Sequence, residues 1–155
     1  MPTQIDLVKV FTNSPSEGNL AGVVVDTNDL SEAEMQEIAT KVGASETAFI
    51  LPATNSDNAF RVRWFTPNSE VGLCIHATIA SITSLQAVGA LDRKEFKVET
   101  KNAVLNCKVE DQKCWVEVQG YKVLHKELVQ KNLLDLLGIE KNRLNGPIKS
   151  IEIYD

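Results

Sequence analysis

Three side chains in the first half of the chain carry the chemistry to move a proton or attack a carbon. Glu46 stands in "GASETAFILP", and Cys74 and His76 stand two apart in "LCIHATIAS". A carboxylate and an imidazole can pass a proton to and from a substrate carbon. A cysteine thiol can also serve as a catalytic group. Each residue also has a plainer reading. Glu46 can be a strand glutamate facing water, and His76 a helix-start histidine satisfied by nearby backbone. Cys74 reads first as a small buried hydrophobe. Taking a proton from carbon asks for a carboxylate in apolar surroundings. Glu46 lies between Ala44–Ser45 and the run Ala48–Leu51, which suits that requirement. The two histidines, His76 and His125, are far apart, so no metal site is expected. No phosphate-cradling loop or dinucleotide fingerprint occurs, so no cofactor is expected.

The element that must hold Cys74 and His76 is unusual. From Val71 to Leu91 no residue carries a formal charge, in a chain that is 24% charged. The segment holds Thr78, Ser81, Thr83, Ser84 and Gln86, with much Ala and Gly. That composition is too weakly apolar for a membrane span. It predicts a core helix over about 75–90, buried on most sides. Ahead of it, "LSEAEMQEIATKVG" predicts a surface helix over about 31–42. Ser31 and Glu34 have capping-box spacing, Leu30 and Met35 can form a staple, and Gly43 ends it.

Strands are predicted around both helices. "TQIDLVKVFT", "LAGVVV", "SETAFILP" and "AFRVRWFTP" precede the core helix. "EFKVET", "AVLNCKVE" and "KCWVEVQ" follow it, the last two forming a hairpin through "EDQK". With the turn at Asp111–Gln112, Cys107 and Cys114 sit diagonally on one face, awkward for a disulfide. Trp64 and Phe65 read as sheet core. An amphipathic helix over "KELVQKNLLDLLG", ended by Gly138, and a strand in "IKSIEIYD" complete the pattern. The fold class is α+β: a mostly antiparallel sheet curled around a buried central helix, with one surface helix.

Composition narrows the partners. The 155 residues carry a net charge of −5, with 43% hydrophobic residues. Nucleic acid and anionic membrane are therefore not expected partners. Three cysteines with no close pair fit a reducing compartment. No secretory leader opens the chain, and the protein is expected to be cytoplasmic.

Four motifs, "VFTNSPSEGNLAGVVV", "LSEAEMQEIATKVGASETAFILP", "FRVRWFTPNSEV" and "LCIHATIAS", occur in an order that resembles the N-terminal half of the PhzF-like isomerases of phenazine biosynthesis. Those proteins resemble diaminopimelate epimerase in fold. The resemblance implies two similar lobes, each a sheet around a central helix, with the active site in the cleft between them. It implies that Glu46 carries the proton and that His76 binds or polarises the substrate. It places Glu17, Gly18 and Asn19 of the "EGN" loop in the same cleft, with Ser45, Ile75 and Ala77 beside the catalytic pair. The implied reaction moves a proton between carbons of a small carboxylate-bearing substrate, without metal or cofactor.

Several positions depart from that pattern. Ile75 stands where the family usually has Gly, and its side chain is expected to intrude on the carboxylate space or force a local backbone change. Gly72 stands where an acidic residue is frequent, and Leu20 where proline is common. Residues 1–120 correspond to the first lobe, and 121–155 to a connecting helix and strand that begin a second lobe. A homodimer through the cleft face or the terminal strand is the expected remedy for the open cleft. A truncated, non-catalytic lobe acting in binding is the alternative. A cysteine-based racemase ranks last, because no partner for Cys74 is evident.

Overall fold

A computed structural model describes residues 4–14, 16–27, 30–111, 113–118, 123–124 and 153–154. In chain order its elements are β1 (Asp6–Val10), β2 (Asn19–Val24), α1 (Glu32–Val42), β3 (Glu46–Leu51), β4 (Phe60–Phe65), β5 (Glu70–Val71), α2 (Ile75–Ala87), β6 (Glu95–Glu99), β7 (Val104–Glu110), β8 (Lys113–Val116), β9 (Val123–Leu124) and β10 (Ile153–Tyr154). The chain divides into one unit over Met1–Val118 and a second over Gln119–Asp155. In the second unit β9 and β10 pair antiparallel. The amphipathic helix expected over 126–138 lies outside the described residues. So does the terminal strand, apart from β10.

The first unit is built on the uncharged segment. The helix α2 buries His76, Ala77, Thr78, Ala80, Ser81, Ile82, Ser84 and Leu85. Its polar residues are absorbed locally: the Thr78 and Ser81 hydroxyls donate to the carbonyls of Cys74 and Ala77, four residues back, at 2.7 and 2.8 Å. No described helix is long and apolar enough to cross a membrane.

An eight-stranded sheet runs β1-β2-β3-β4-β6-β7-β8, with β5 attached to β4. Pairing is antiparallel except for β2–β3 and β4–β6, which are parallel. Each parallel pair is bridged by a helix, α1 for the first and α2 for the second. The helix α2 packs on β1, β2 and β3 and also on β8, so both ends of the sheet path come round to it. The β4–β6 joint rests on only two residue pairs, Phe60↔Val98 and Arg61↔Glu99.

Strand alternation feeds two cores. Ala48, Ile50, Phe60, Val62 and Trp64 join the core around α2. Phe49 and Phe65, of opposite parity, join Met35 and Ala39 of α1 in the second, where the two rings meet edge to face at 5.4 Å. The α1 ends are as the sequence predicts: Ser31 and Glu34 form the capping box, and Gly43 closes the helix at φ +66° with its N–H on the Ala39 carbonyl. Cys107 pairs with Val116 and Cys114 with Val109, which is the diagonal arrangement, and both thiols are free. In β1, Val8 and Val10 turn inward while Leu7 is exposed.

One polar network was not visible in the sequence. Arg63 Nε and Nη2 donate to the two oxygens of Glu70 at 2.8 and 3.0 Å. Lys101 adds a contact to Glu70 at 2.7 Å, and Arg63 reaches Glu32 at 2.6 Å. The network ties β4, β5, α1 and the turn after β6 together. The paired Arg63 guanidinium outweighs partial burial and holds the Glu70 carboxyl at about 2, down from 4.5. A depressed carboxylate contributes stability above its unfolded value, and loses it as pH falls through its folded value. We therefore expect Glu70→Gln to weaken the protein by about 2 kcal/mol at pH 7. Urea titrations should show the gap between variant and wild type closing as pH falls from about 4.5 to about 2.

Candidate active site

Three chain segments converge where the core face of the sheet meets the start of α2. The parallel β2–β3 register sets Ala21 beside Glu46, which brings Asn19–Leu20 next to Ser45. Glu46 is the first residue of β3 and shares its parity with Ala48 and Ile50, so it lies on the face that packs against α2. The carboxylate therefore emerges at the rim of the core rather than on the outer surface. Its side chain is 23% exposed.

His76 meets it there. Its Nε2 lies 3.2 Å from Glu46 Oε2 and 3.3 Å from Ser45 Oγ. Ser45 Oγ also donates to the Leu20 carbonyl at 3.2 Å and lies 3.5 Å from Asn19 Oδ1. On the other side of the ring, Nδ1 lies 3.2 Å from Cys74 Sγ. Cys74 is the N-cap of α2, yet its sulfur makes no capping hydrogen bond. Burial pushes the thiol up to about 11; the Glu46 charge adds to this, while the nearby N–H groups of Ala77 and His76 oppose it. The first turn of α2 contributes no acidic residue, so the positive end of the helix is left to favour an anion at the site.

The remaining expected residues divide. Asn19 joins the group through Ser45. Gly18 turns the chain into β2 at φ +91°, where a Cβ would strike Thr12 and the Val10 carbonyl, so only glycine fits. Glu17 faces a shallow hollow with Phe11, Thr12, Asn13 and Ser14. Ile75 is the first residue of α2 and half-buried, and it does not adopt positive φ. Ala77 is fully buried in the core, so only its backbone is left to meet a ligand. The Cys74–His76 contact and the Leu20 carbonyl are the parts that sequence reasoning did not supply. The Cys-x-His spacing at a helix start was the available signal.

Among the described residues Glu46, Cys74 and His76 form a group that could hold a metal ion, their donor atoms lying within 4.8 Å of one another. The two nitrogens of His76 face Cys74 and Glu46 separately. Each nitrogen thus has its own partner, and the three side chains are linked in a chain of contacts.

Residues 8–148 match the family of phenazine biosynthesis-like proteins, PhzC-PhzF. The chain is 38% identical over 136 residues to the uncharacterized isomerase YfhB of Bacillus subtilis (strain 168), covering 84% of this chain and 46% of that one. It is 33% identical over 143 residues to the uncharacterized isomerase BH0283 of Halalkalibacterium halodurans, covering 90% of this chain and 52% of that one. The crystal structure of the Bacillus anthracis phenazine biosynthesis protein of the PhzF family superposes with a TM-score of 0.66 at 37% identity, over 75% of this chain and 40% of that one. A sheet curled on a buried helix, with Glu and His at the helix mouth, thus has relatives bearing the isomerase name. The chain belongs to the phenazine biosynthesis-like PhzF family. It spans about half the length of the two curated relatives just described.

Ile75 offers a direct test of the mouth's shape. Ile75→Gly should cost about 1 kcal/mol in chemical denaturation, from lost helix propensity. It should also open space at the helix start and tighten binding of acetate or malonate in an NMR titration. Unchanged affinity would show that Ile75 does not occupy the anion space.

Proposed function

We propose that this chain is a catalytic lobe of an isomerase that moves a proton between carbons of a small carboxylate-bearing substrate. Glu46 carries the proton, and His76 binds or polarises the substrate at the start of α2. The observation that carries this reading is the 3.2 Å contact between Glu46 Oε2 and His76 Nε2 at the rim of the core. A carboxylate set beside a hydrogen-bonding imidazole at a helix N-terminus can take a proton while the developing oxyanion is stabilised. The isomerase names of the relatives point the same way. The free thiols Cys74, Cys107 and Cys114 fit a reducing compartment, and the proposed location is the cytoplasm.

The cleft in this reading needs a second wall, and the proposed wall is a second copy of the chain. Phe11, which lines the hollow with Glu17, and Leu73, next to Cys74, support this: they are 70% and 36% exposed. A non-catalytic lobe that only binds is the second reading, and the observation favouring it is Ile75 at the helix mouth. The cysteine-based racemase stays last, because burial keeps the Cys74 thiol protonated and neither Cys107 nor Cys114 belongs to its group.

Two measurements test this. In deuterium oxide, NMR should show label entering the C–H position of at least one small carboxylate from a panel with acidic C–H bonds. Glu46→Gln should slow that exchange by roughly a hundredfold or more. Exchange that Glu46→Gln leaves untouched would remove Glu46 from the mechanism. Light scattering at micromolar concentration should give twice the 17.1 kDa chain mass, and a value of 17.1 kDa would rule out the second copy as the wall.

A further inference from the structure

The proposed role of His76 leaves one question open: what decides which ring nitrogen bears the proton? A neutral imidazole has one donor and one acceptor, and the partners of the two nitrogens fix the choice. Around Nε2 both neighbours accept. As a carboxylate, Glu46 Oε2, at 3.2 Å, can only accept a hydrogen bond. Ser45 Oγ, at 3.3 Å, has one proton and two other acceptors in reach, the Leu20 carbonyl at 3.2 Å and Asn19 Oδ1 at 3.5 Å, which leaves its oxygen able to accept from Nε2. A bare nitrogen at Nε2 would face two oxygen acceptors, so Nε2 carries the proton. Nδ1 is then the acceptor, and it is turned toward the core, where Cys74 Sγ at 3.2 Å is the donor in reach.

We propose that Cys74 is a positioning residue: its S–H donates to His76 Nδ1 and fixes the tautomer whose Nε2–H faces Glu46, Ser45 and a bound substrate. This rests on the proposed isomerase role of His76 and deepens it. Cys74 is well placed for the task. Its carbonyl receives both the Thr78 N–H, at 3.1 Å, and the Thr78 hydroxyl, at 2.7 Å, so its backbone is clamped to the first turn of α2. Thr78 itself is fully buried. Cys74 is 7% exposed and packed in the core around α2. Burial also keeps its proton in place at neutral pH, because the thiol is pushed up to about 11. The same burial makes Cys74 a poor nucleophile, which separates this role from thiol catalysis. A hydroxyl in place of the thiol would keep a donor, whereas an alkyl group of similar size would remove it.

The chain has only two histidines, so a histidine-selective nitrogen-15 spectrum of the full chain reads His76 directly. The expected wild-type signature is a protonated, pyrrole-type Nε2 and an unprotonated Nδ1 shifted by an accepted hydrogen bond. In Cys74→Val the Nδ1 resonance should move to that of an unbonded nitrogen, or the two tautomers should average. Cys74→Ser should restore the wild-type pattern. In the deuterium-exchange assay, Cys74→Val should lower kcat several-fold with little change in KM, and Cys74→Ser should recover it. If Cys74→Val does not give a folded spectrum, Cys74→Ala is read in the same way. A protonated Nδ1 in the wild type, or a His76 signature indifferent to loss of the thiol, overturns the proposal. Because the spectrum does not depend on turnover, the two ideas fail separately. The signature without any exchange would sink only the isomerase reading. Exchange without a Cys74-dependent signature would sink only the role of Cys74.

Discussion

The constraint on which the rest depends is the burial of a helix with no charge from end to end. A helix apolar around most of its circumference must be covered on most sides. One sheet can do that only by curling, and here α2 packs on β1 at one end of the sheet path and on β8 at the other. Once the flanks of the helix are covered, its ends remain as the places where backbone polar groups meet solvent or ligand. The N-terminal end offers N–H groups, and His76 sits in its first turn. The reactive chemistry is thus confined to one spot by packing, before any catalytic requirement is considered.

Strand parity does the corresponding work for the carboxylate. Glu46 shares a face with Ala48 and Ile50, which bury against α2, whereas Thr47 and Phe49 face the other way. A one-residue slip in β3 would turn the carboxylate away from His76 and place Thr47 in the core around α2. The parallel pairing of β2 and β3 adds the third component, because it sets the start of β2 beside Ser45. The Leu20 carbonyl and Asn19 side chain reach Ser45 for that reason alone. The charged network of Arg63, Glu70, Lys101 and Glu32 keeps β4 and β5 fixed just before α2 begins.

Much of this was legible in the sequence wherever the signal is local. The capping box at Ser31 and Glu34, the glycine stop at Gly43, the alternation of Phe60, Val62 and Trp64, and the bare helix all announce themselves within a few residues. The features that escaped depend on chain segments meeting from afar. The two-residue strand β5 exists because Glu70 and Val71 meet β4, and Lys101 reaches Glu70 across 31 positions. The place of Ala77 beside His76 did not say that the helical turn carries its side chain into the core and leaves only its backbone toward the site. Cys74 read correctly as core filler, and the sequence did not say that its sulfur would also lie against a ring nitrogen.

The narrow joint between β4 and β6 has a mechanical consequence. Neighbouring pairs such as β3–β4 and β6–β7 are held by five residue pairs each, against two at this joint. Glu99 reinforces it by taking hydrogen bonds from the backbone and hydroxyl of Thr54 and from Asn58. The sheet is therefore two leaves bound to one spine, with α2 touching strands on both sides of the seam. Under thermal agitation such a structure parts first at its weakest line. Opening along that line would separate β6, β7 and β8 from the leaf that bears Asn19, Ser45 and Glu46.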